Sequence, residues 1–169
     1  MKSQNLIYLS SLFCIFAAHI AANEEKVDNS VQVQSMLAVL YAQSSAEYDA
    51  NNLQTYTGAK LSLDLGLDDK NWTAAIEQKK DFAEKPPAVI LDIDETVLNN
   101  IPFQARAIIK GESYPNGWVD WMLEESSTSV AGVKDFLEYA ESKGVKVFYV
   151  TNRVAIAEEA TRNNLRKQI

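Results

Sequence analysis

The stretch AVILDIDETVLNN, Ala88 to Asn100, decides how this chain reads. Its opening run, Ala88, Val89, Ile90 and Leu91, follows Pro86 and Pro87 and reads as a short buried strand of a parallel sheet. Two carboxylates, Asp92 and Asp94, and the hydroxyl of Thr96 come directly after it. Ligands of open α/β sheets bind where strands end, so these three side chains are expected at the carboxyl edge of a central strand.

An aspartate at a strand end with a second carboxylate two residues on suits phosphoryl transfer. One oxygen attacks phosphorus while the neighbour handles the leaving-group proton. Two ionised carboxylates side by side repel unless a cation lies between them. Magnesium answers that need and also neutralises phosphate oxygens. Thr96 is read as bonding backbone to steady the turn. A calcium loop is the competing reading, and it fails because Val97 stands where that loop requires glycine. A bare D-x-D-x-T is short enough to arise by chance, so a second constellation has to carry part of the argument.

That constellation lies downstream. Val133, Phe136, Leu137 and Ala140 recur as one face of a helix closed by Gly144, and Val145 to Val150 is a β-branched and aromatic run. A helix feeding a parallel strand is the expected unit. The strand ends in Thr151, Asn152 and Arg153, which again sets a hydroxyl and an amide at a sheet edge beside the start of a helix, a favourable place for phosphate. Taken alone, Thr151 and Asn152 read as a helix cap; beside the first site, phosphate binding is the better reading.

Upstream, the pattern is helical from Ser30 to about Leu65. Ser30 is a candidate N-cap, and Met36, Leu37, Leu40 and Tyr41 are spaced for one apolar face. A second helix is expected from Ser44 to Leu65, with Tyr48, Leu53, Tyr56 and Lys60 as packing residues. Asp64, Asp68 and Asp69 surround an expected turn at Gly66 and read as a solvated helix end rather than a metal site. Asn71-Trp72-Thr73 fits a glycosylation sequon, a pattern common by chance. Thr73 to Glu84 reads as another short helix, and Lys85-Pro86-Pro87 divides an N-terminal helical region, 23–85, from an α/β core, 86–169.

The composition of the 169 residues, 47% hydrophobic, fits a domain with a real core. The net charge of -7 argues against a nucleic-acid polymer as partner. Residues 1–22 look like a secretory signal peptide, with Lys2 at its start, an apolar run from Leu6 to Ala18, and Ala21 and Ala22 at a cleavage site. A membrane anchor is the alternative, but the run is shorter than the ~20 residues a span needs, so no stable anchor is expected after cleavage. A lipoprotein signal at Cys14 is disfavoured by the bulky Phe13. Cleavage would remove both Cys14 and His19, the chain's one cysteine and one histidine. Disulfides, thiolate nucleophiles, histidine-based hydrolysis and His/Cys zinc sites would then be excluded, leaving carboxylates, hydroxyls, Lys/Arg and an oxygen-ligated metal.

VILDIDETVLNN followed by VKVFYVTNR resembles the first two motifs of the haloacid dehalogenase-like phosphatases, and specifically the secreted acid phosphatases of classes B and C, with class C closest. The likeness extends to SSAEYDANNLQTYTGAKLSLD, to IPFQ after the first motif, and to the stretch from Trp118 to Arg153, about residues 40–160 in all. The resemblance implies a Rossmann-like core with a cap segment at about 99–130 and Mg2+ dependence. It also implies hydrolysis of small-molecule phosphomonoesters, often nucleotides, in a secreted or periplasmic location. On the matching positions it implies Asp92 as the nucleophile that becomes phosphorylated, and Asp94 as the acid that protonates the leaving alcohol and later activates water. Magnesium would be held by the Asp92 carboxylate and the Asp94 backbone carbonyl. Thr151 with Asn152, and Thr96, would bind the phosphoryl group. Phe103, Trp118 and Trp121 fall where the family receives substrate, with cap packing as the equal alternative.

The family also uses a third motif, a lysine, and a fourth, an acidic pair, and neither is recognisable here. The chain is expected to be truncated after the second motif, its parallel sheet incomplete, with exposed core surface that leaves room for a homo-oligomer. Arg162, Arg166 and Lys167 read as a solvated helix end. Ala131 stands where relatives tend to have proline. Two functions follow from the same residues: an acid phosphatase working through an aspartyl-phosphate, or a non-catalytic phosphatase-like binding or storage protein.

Overall fold

Residues 31–79 and 81–169 are described by a computed structural model. Two helices come first, α1 (Val31–Ser44) and α2 (Ala46–Asp68), followed by β1 (Ala88–Leu91) and β2 (Leu98–Asn99). Helices α3 (Ile101–Lys110) and α4 (Trp118–Leu123), strand β3 (Thr128–Ser129), helix α5 (Val133–Ser142), strand β4 (Lys146–Tyr149) and helix α6 (Glu158–Gln168) complete the order. The class is α/β. β1 and β4 pair in parallel, Ala88 opposite Lys146 through Leu91 opposite Tyr149, and β2 and β3 form a small antiparallel pair. The signal-like segment 1–22 and Ser30 lie outside the described residues. Among those residues no helix is long and apolar enough to cross a membrane.

The α5–β4 unit forms as its periodicity requires. Val133, Phe136 and Ala140 are buried, and the chain leaves the helix through Gly144, at φ +72, with the Val145 N–H returned to the Ala140 carbonyl. α5 packs on α2 and on β4. Their shared core gathers Tyr56, Ile93, Val97, Leu98, Val133 and Phe136. Each large apolar side chain so buried contributes roughly 1.5–3 kcal/mol.

Several expectations are corrected. β1 is not buried on both faces: Val89 and Leu91 turn to the core, while Ile90 is 67% exposed, beside Phe148 and Val150 at 56% and 62% on the same bare sheet. A four-residue apolar run cannot distinguish a strand covered on two faces from one covered on one. The expected apolar face of α1, Met36, Leu37, Leu40 and Tyr41, is solvent-exposed; Val39 is buried, and α1 lies along α3. Among the described residues of 73–84 there is no α-helix, only turns and a 3-10 segment at Phe82–Glu84.

Nor does the second helix break at Gly66. Ser45 caps it, accepting from the Glu47 N–H, and it continues to Asp68. Gly66 lies beneath the Trp72 ring, where a Cβ would come within 2.9 Å of Cε3, so the glycine serves close approach rather than a turn. Asp64 accepts from the Tyr139 hydroxyl and pairs with Lys143 at 3.1 Å. Those hydrogen bonds hold its pKa below the usual carboxylate range.

Where α2 crosses the start of α5, Gly132 sits at φ +87, and a Cβ there would lie 3.2 Å from Tyr56 Cβ and 3.4 Å from Leu53 Cα. Gly132→Ala is therefore expected to lower stability in urea unfolding by about 1–3 kcal/mol. Gly58→Ala, with nothing within 4 Å inside the same helix α2, should raise it by about 0.5–1 kcal/mol.

Candidate active site

The parallel register brings two distant segments to one edge. The Val150 N–H donates to the Leu91 carbonyl at 2.9 Å, one step past the last paired residues, so Asp92 and Thr151 both leave the sheet at the carboxyl ends of adjacent strands. The chain after Asp92 turns tightly. Val97 and Leu98 both donate to the Ile93 carbonyl at 2.8 Å, Glu95 donates back to the Leu98 carbonyl, and Glu95 itself takes φ +55. Ile93, Val97 and Leu98 point into the core, which leaves Asp92 exposed and Asp94 half-buried on the rim.

Asp94 is held on one oxygen. Its Oδ1 accepts from Arg153 Nε at 3.0 Å, from Arg153 Nη2 at 2.7 Å and from Asn100 Nδ2 at 2.8 Å. The Arg153 side chain is only 2% exposed. Its Nη1 donates to Thr161 Oγ1 on α6, and its guanidinium lies 5.6 Å from the centre of the Trp118 ring. Asn100, fully buried, accepts at Oδ1 from Trp121 Nε1 and from Ser127 Oγ, each at 2.9 Å. Ser127 is in turn paired through its backbone N–H and carbonyl with the Asn164 amide. The polar groups under the site are thus hydrogen-bonded to one another rather than left bare, as burial demands.

The remaining candidates have simpler surroundings. Thr151 Oγ1 accepts from the Arg153 backbone N–H at 3.2 Å, closing a local turn. It does not cap the following helix, whose N-cap is Ala157 without a side-chain bond. The Thr151 hydroxyl therefore keeps its proton to donate. Asn152 is exposed at the same edge. The Thr96 backbone carbonyl accepts from the Tyr56 hydroxyl at 2.6 Å, so helix α2 grips the turn from behind. Glu95 bonds the Asn100 N–H through Oε1. Burial of its carboxyl raises its pKa, with the Asp94 charge pushing the same way. Phe103 and Trp121 are buried, and Trp118 is the half-buried ring of the three.

Sequence reasoning missed Arg153 and Asn100. Both stood in the motifs, but Asn100 precedes Ile101-Pro102 in the position of a helix cap, and its side chain makes no capping bond. The capping role falls instead to Asn99, whose Oδ1 accepts from the Ile101 N–H. The ligand donors offered at the edge, the Asp92 carboxylate and backbone carbonyls of the turn, are all oxygens, which suits a hard cation such as magnesium. Among the described residues no group of three or more His, Cys, Asp or Glu side chains is gathered for a metal.

Residues 10–168 match the family described as HAD superfamily, subfamily IIIB (acid phosphatase). The chain is similar to the class C acid phosphatase from Bacillus anthracis with tungstate bound, at 36% identity and a TM-score of 0.71, over 81% of this chain and 53% of that one. A second structure of the class C acid phosphatase from Bacillus anthracis matches at 38% identity and a TM-score of 0.70, over 80% and 52%. The chain spans about half the length of these solved structures.

Burial, and secondarily the Tyr149 charge, push the Tyr56 pKa up to about 12 from 10.0. Because the folded state holds this proton more tightly than the unfolded chain, stability is expected to fall as pH climbs from about 10 through about 12, by on the order of 2 kcal/mol. Tyr149, raised by its own burial, adds to the same decline. Tyr56→Phe should cost about 1 kcal/mol at neutral pH and flatten part of the alkaline decline, read from denaturant midpoints across that range.

Proposed function

Because this chain belongs to subfamily IIIB of the HAD superfamily, the acid phosphatases, we propose that its sheet edge hydrolyses phosphomonoesters through a phosphorylated Asp92. An Asp92 oxygen attacks phosphorus, the bond from phosphorus to the alcohol oxygen breaks, and Asp94 gives its proton to that oxygen. Water then attacks the aspartyl-phosphate, Asp94 takes the water's proton, and the bond between the Asp92 oxygen and phosphorus breaks to free phosphate. Thr151, Asn152 and Thr96 hold the phosphoryl oxygens. The Asp92 carboxylate and the Asp94 backbone carbonyl would hold a magnesium ion, which when bound neutralises phosphate charge.

The observation that carries this reading is the pairing of an exposed Asp92 with a fixed, half-buried Asp94 at one strand end, with the Thr151 hydroxyl on the adjacent strand. Two carboxyls in such different surroundings suit two different duties. The similar Bacillus anthracis enzyme has tungstate bound, an oxyanion like phosphate, which supports a phosphate ester as the ligand of this chain. Nucleoside monophosphates are the proposed substrates. Removal of residues 1–22 on export, and action outside the cytoplasm, complete the proposal. The bare sheet face bearing Ile90, Phe148 and Val150 supports association of the isolated chain into a homo-oligomer.

Phosphate release from an aryl phosphate and a nucleoside monophosphate at acidic pH should depend on added magnesium and fall by about 10³-fold or more in Asp92→Asn. Folded protein that binds phosphate but turns over neither ester would replace the enzyme by a phosphate-binding protein.

A further inference from the structure

We propose that Arg153 is a positioning residue that gives the two carboxylate oxygens of Asp94 separate duties: Oδ1 is clamped, and Oδ2 carries the transferable proton. The inference rests on the proposed acid role of Asp94. Three N–H groups converge on Oδ1, two from Arg153 and one from Asn100. A carboxyl oxygen accepting three donors has no lone pair left for a proton, so protonated Asp94 places its hydrogen on Oδ2. Without that sorting, a proton on Oδ1 would face the guanidinium and could not reach a leaving group.

Arg153 can impose this choice because it cannot turn away. Its remaining arm is bonded to Thr161 Oγ1 at 3.1 Å, its Nη2 also reaches Asn100 Oδ1 at 3.3 Å, and its plane lies against Trp118. With 2% of its side chain exposed, it is enclosed by protein and acts on chemistry through Asp94. Lysine could keep the charge but not the two N–H bonds to one oxygen, since an ammonium is a point charge and a guanidinium a rigid fork. A plain structural salt bridge would make a different prediction, because it would affect every substrate alike.

Leaving-group chemistry separates the two roles. An aryl phosphate with an acidic phenol departs with little help from a proton donor, whereas an alkyl phosphate such as glycerol phosphate needs it. In Arg153→Lys and Arg153→Gln, kcat/KM, which reports the step that forms the aspartyl-phosphate and expels the alcohol, is expected to fall by about 10²-fold or more for the alkyl ester and by less than about tenfold for the aryl ester, with KM for both near the wild-type value. Equal losses on the two esters, or losses confined to KM, would overturn the inference. If the wild-type chain hydrolyses neither ester, the functional reading fails by itself, and the clamp is decided by nitrogen-15 NMR of the same chain. The Arg153 Nε–H should then give a slowly exchanging signal that Asp94→Asn displaces. A freely exchanging signal, or one indifferent to Asp94→Asn, sinks the clamp. That measurement uses wild-type protein as its reference and stands even where Arg153→Gln does not fold.

Discussion

One buried amide, Asn100, sets the geometry on which the site depends. Its Nδ2 donates to Asp94 and to the Leu98 carbonyl, and its Oδ1 accepts from Trp121, Ser127 and Arg153. Those partners come from the first motif, from α4, from the residue just before β3 and from the segment after β4. Each bond contributes only about 1 kcal/mol net, but an unpaired partner in this buried setting would cost about 1–3 kcal/mol. The amide therefore fixes relative positions more than it adds stability. The same logic applies to the buried guanidinium beside it, whose charge is tolerable only while Asp94 and Thr161 remain in place.

Much of this was legible from residue types. The α5–β4 unit follows from Val133, Phe136 and Ala140 at helical spacing and from the β-branched run after Gly144, signals that local chemistry alone produces. The family resemblance rested on the two strand ends, and the fold brings those ends together. The failures have physical causes too. Gly66 looked like a turn because glycine's usual value is conformational, whereas here its missing Cβ makes room for the Trp72 ring. Arg153 read as part of a motif tail, since nothing local tells whether an arginine after a strand will face solvent or be enclosed by Trp118, Thr161 and Asp94. Asn100 read only as the end of the first motif, because side chain to side chain bonds across 21 and 27 residues leave no periodic trace.

Apolar surface is distributed unevenly over the described residues. One face of the β1–β4 pair rests on α2 and α5, and the other carries Ile90, Phe148 and Val150 in the open. Helix α1 likewise shows Leu37 and Leu40 to solvent. The candidate site is free of this problem: its floor is Ile93, Val97 and Leu98, all within the covered core.

The direct pairing of β1 with β4 also bears on the order in which the chain can assemble. Asp92 and Thr151 become neighbours only when the segment between them, including α3, α4 and α5, has been gathered into one closed loop. Closing such a loop costs entropy before the parallel bonds return anything, and the hairpin shortcut open to antiparallel strands does not exist here. Helices α2 and α5 can each form from local contacts, but neither holds both halves of the edge. The edge that carries Asp92 and Thr151 therefore emerges late and as a unit.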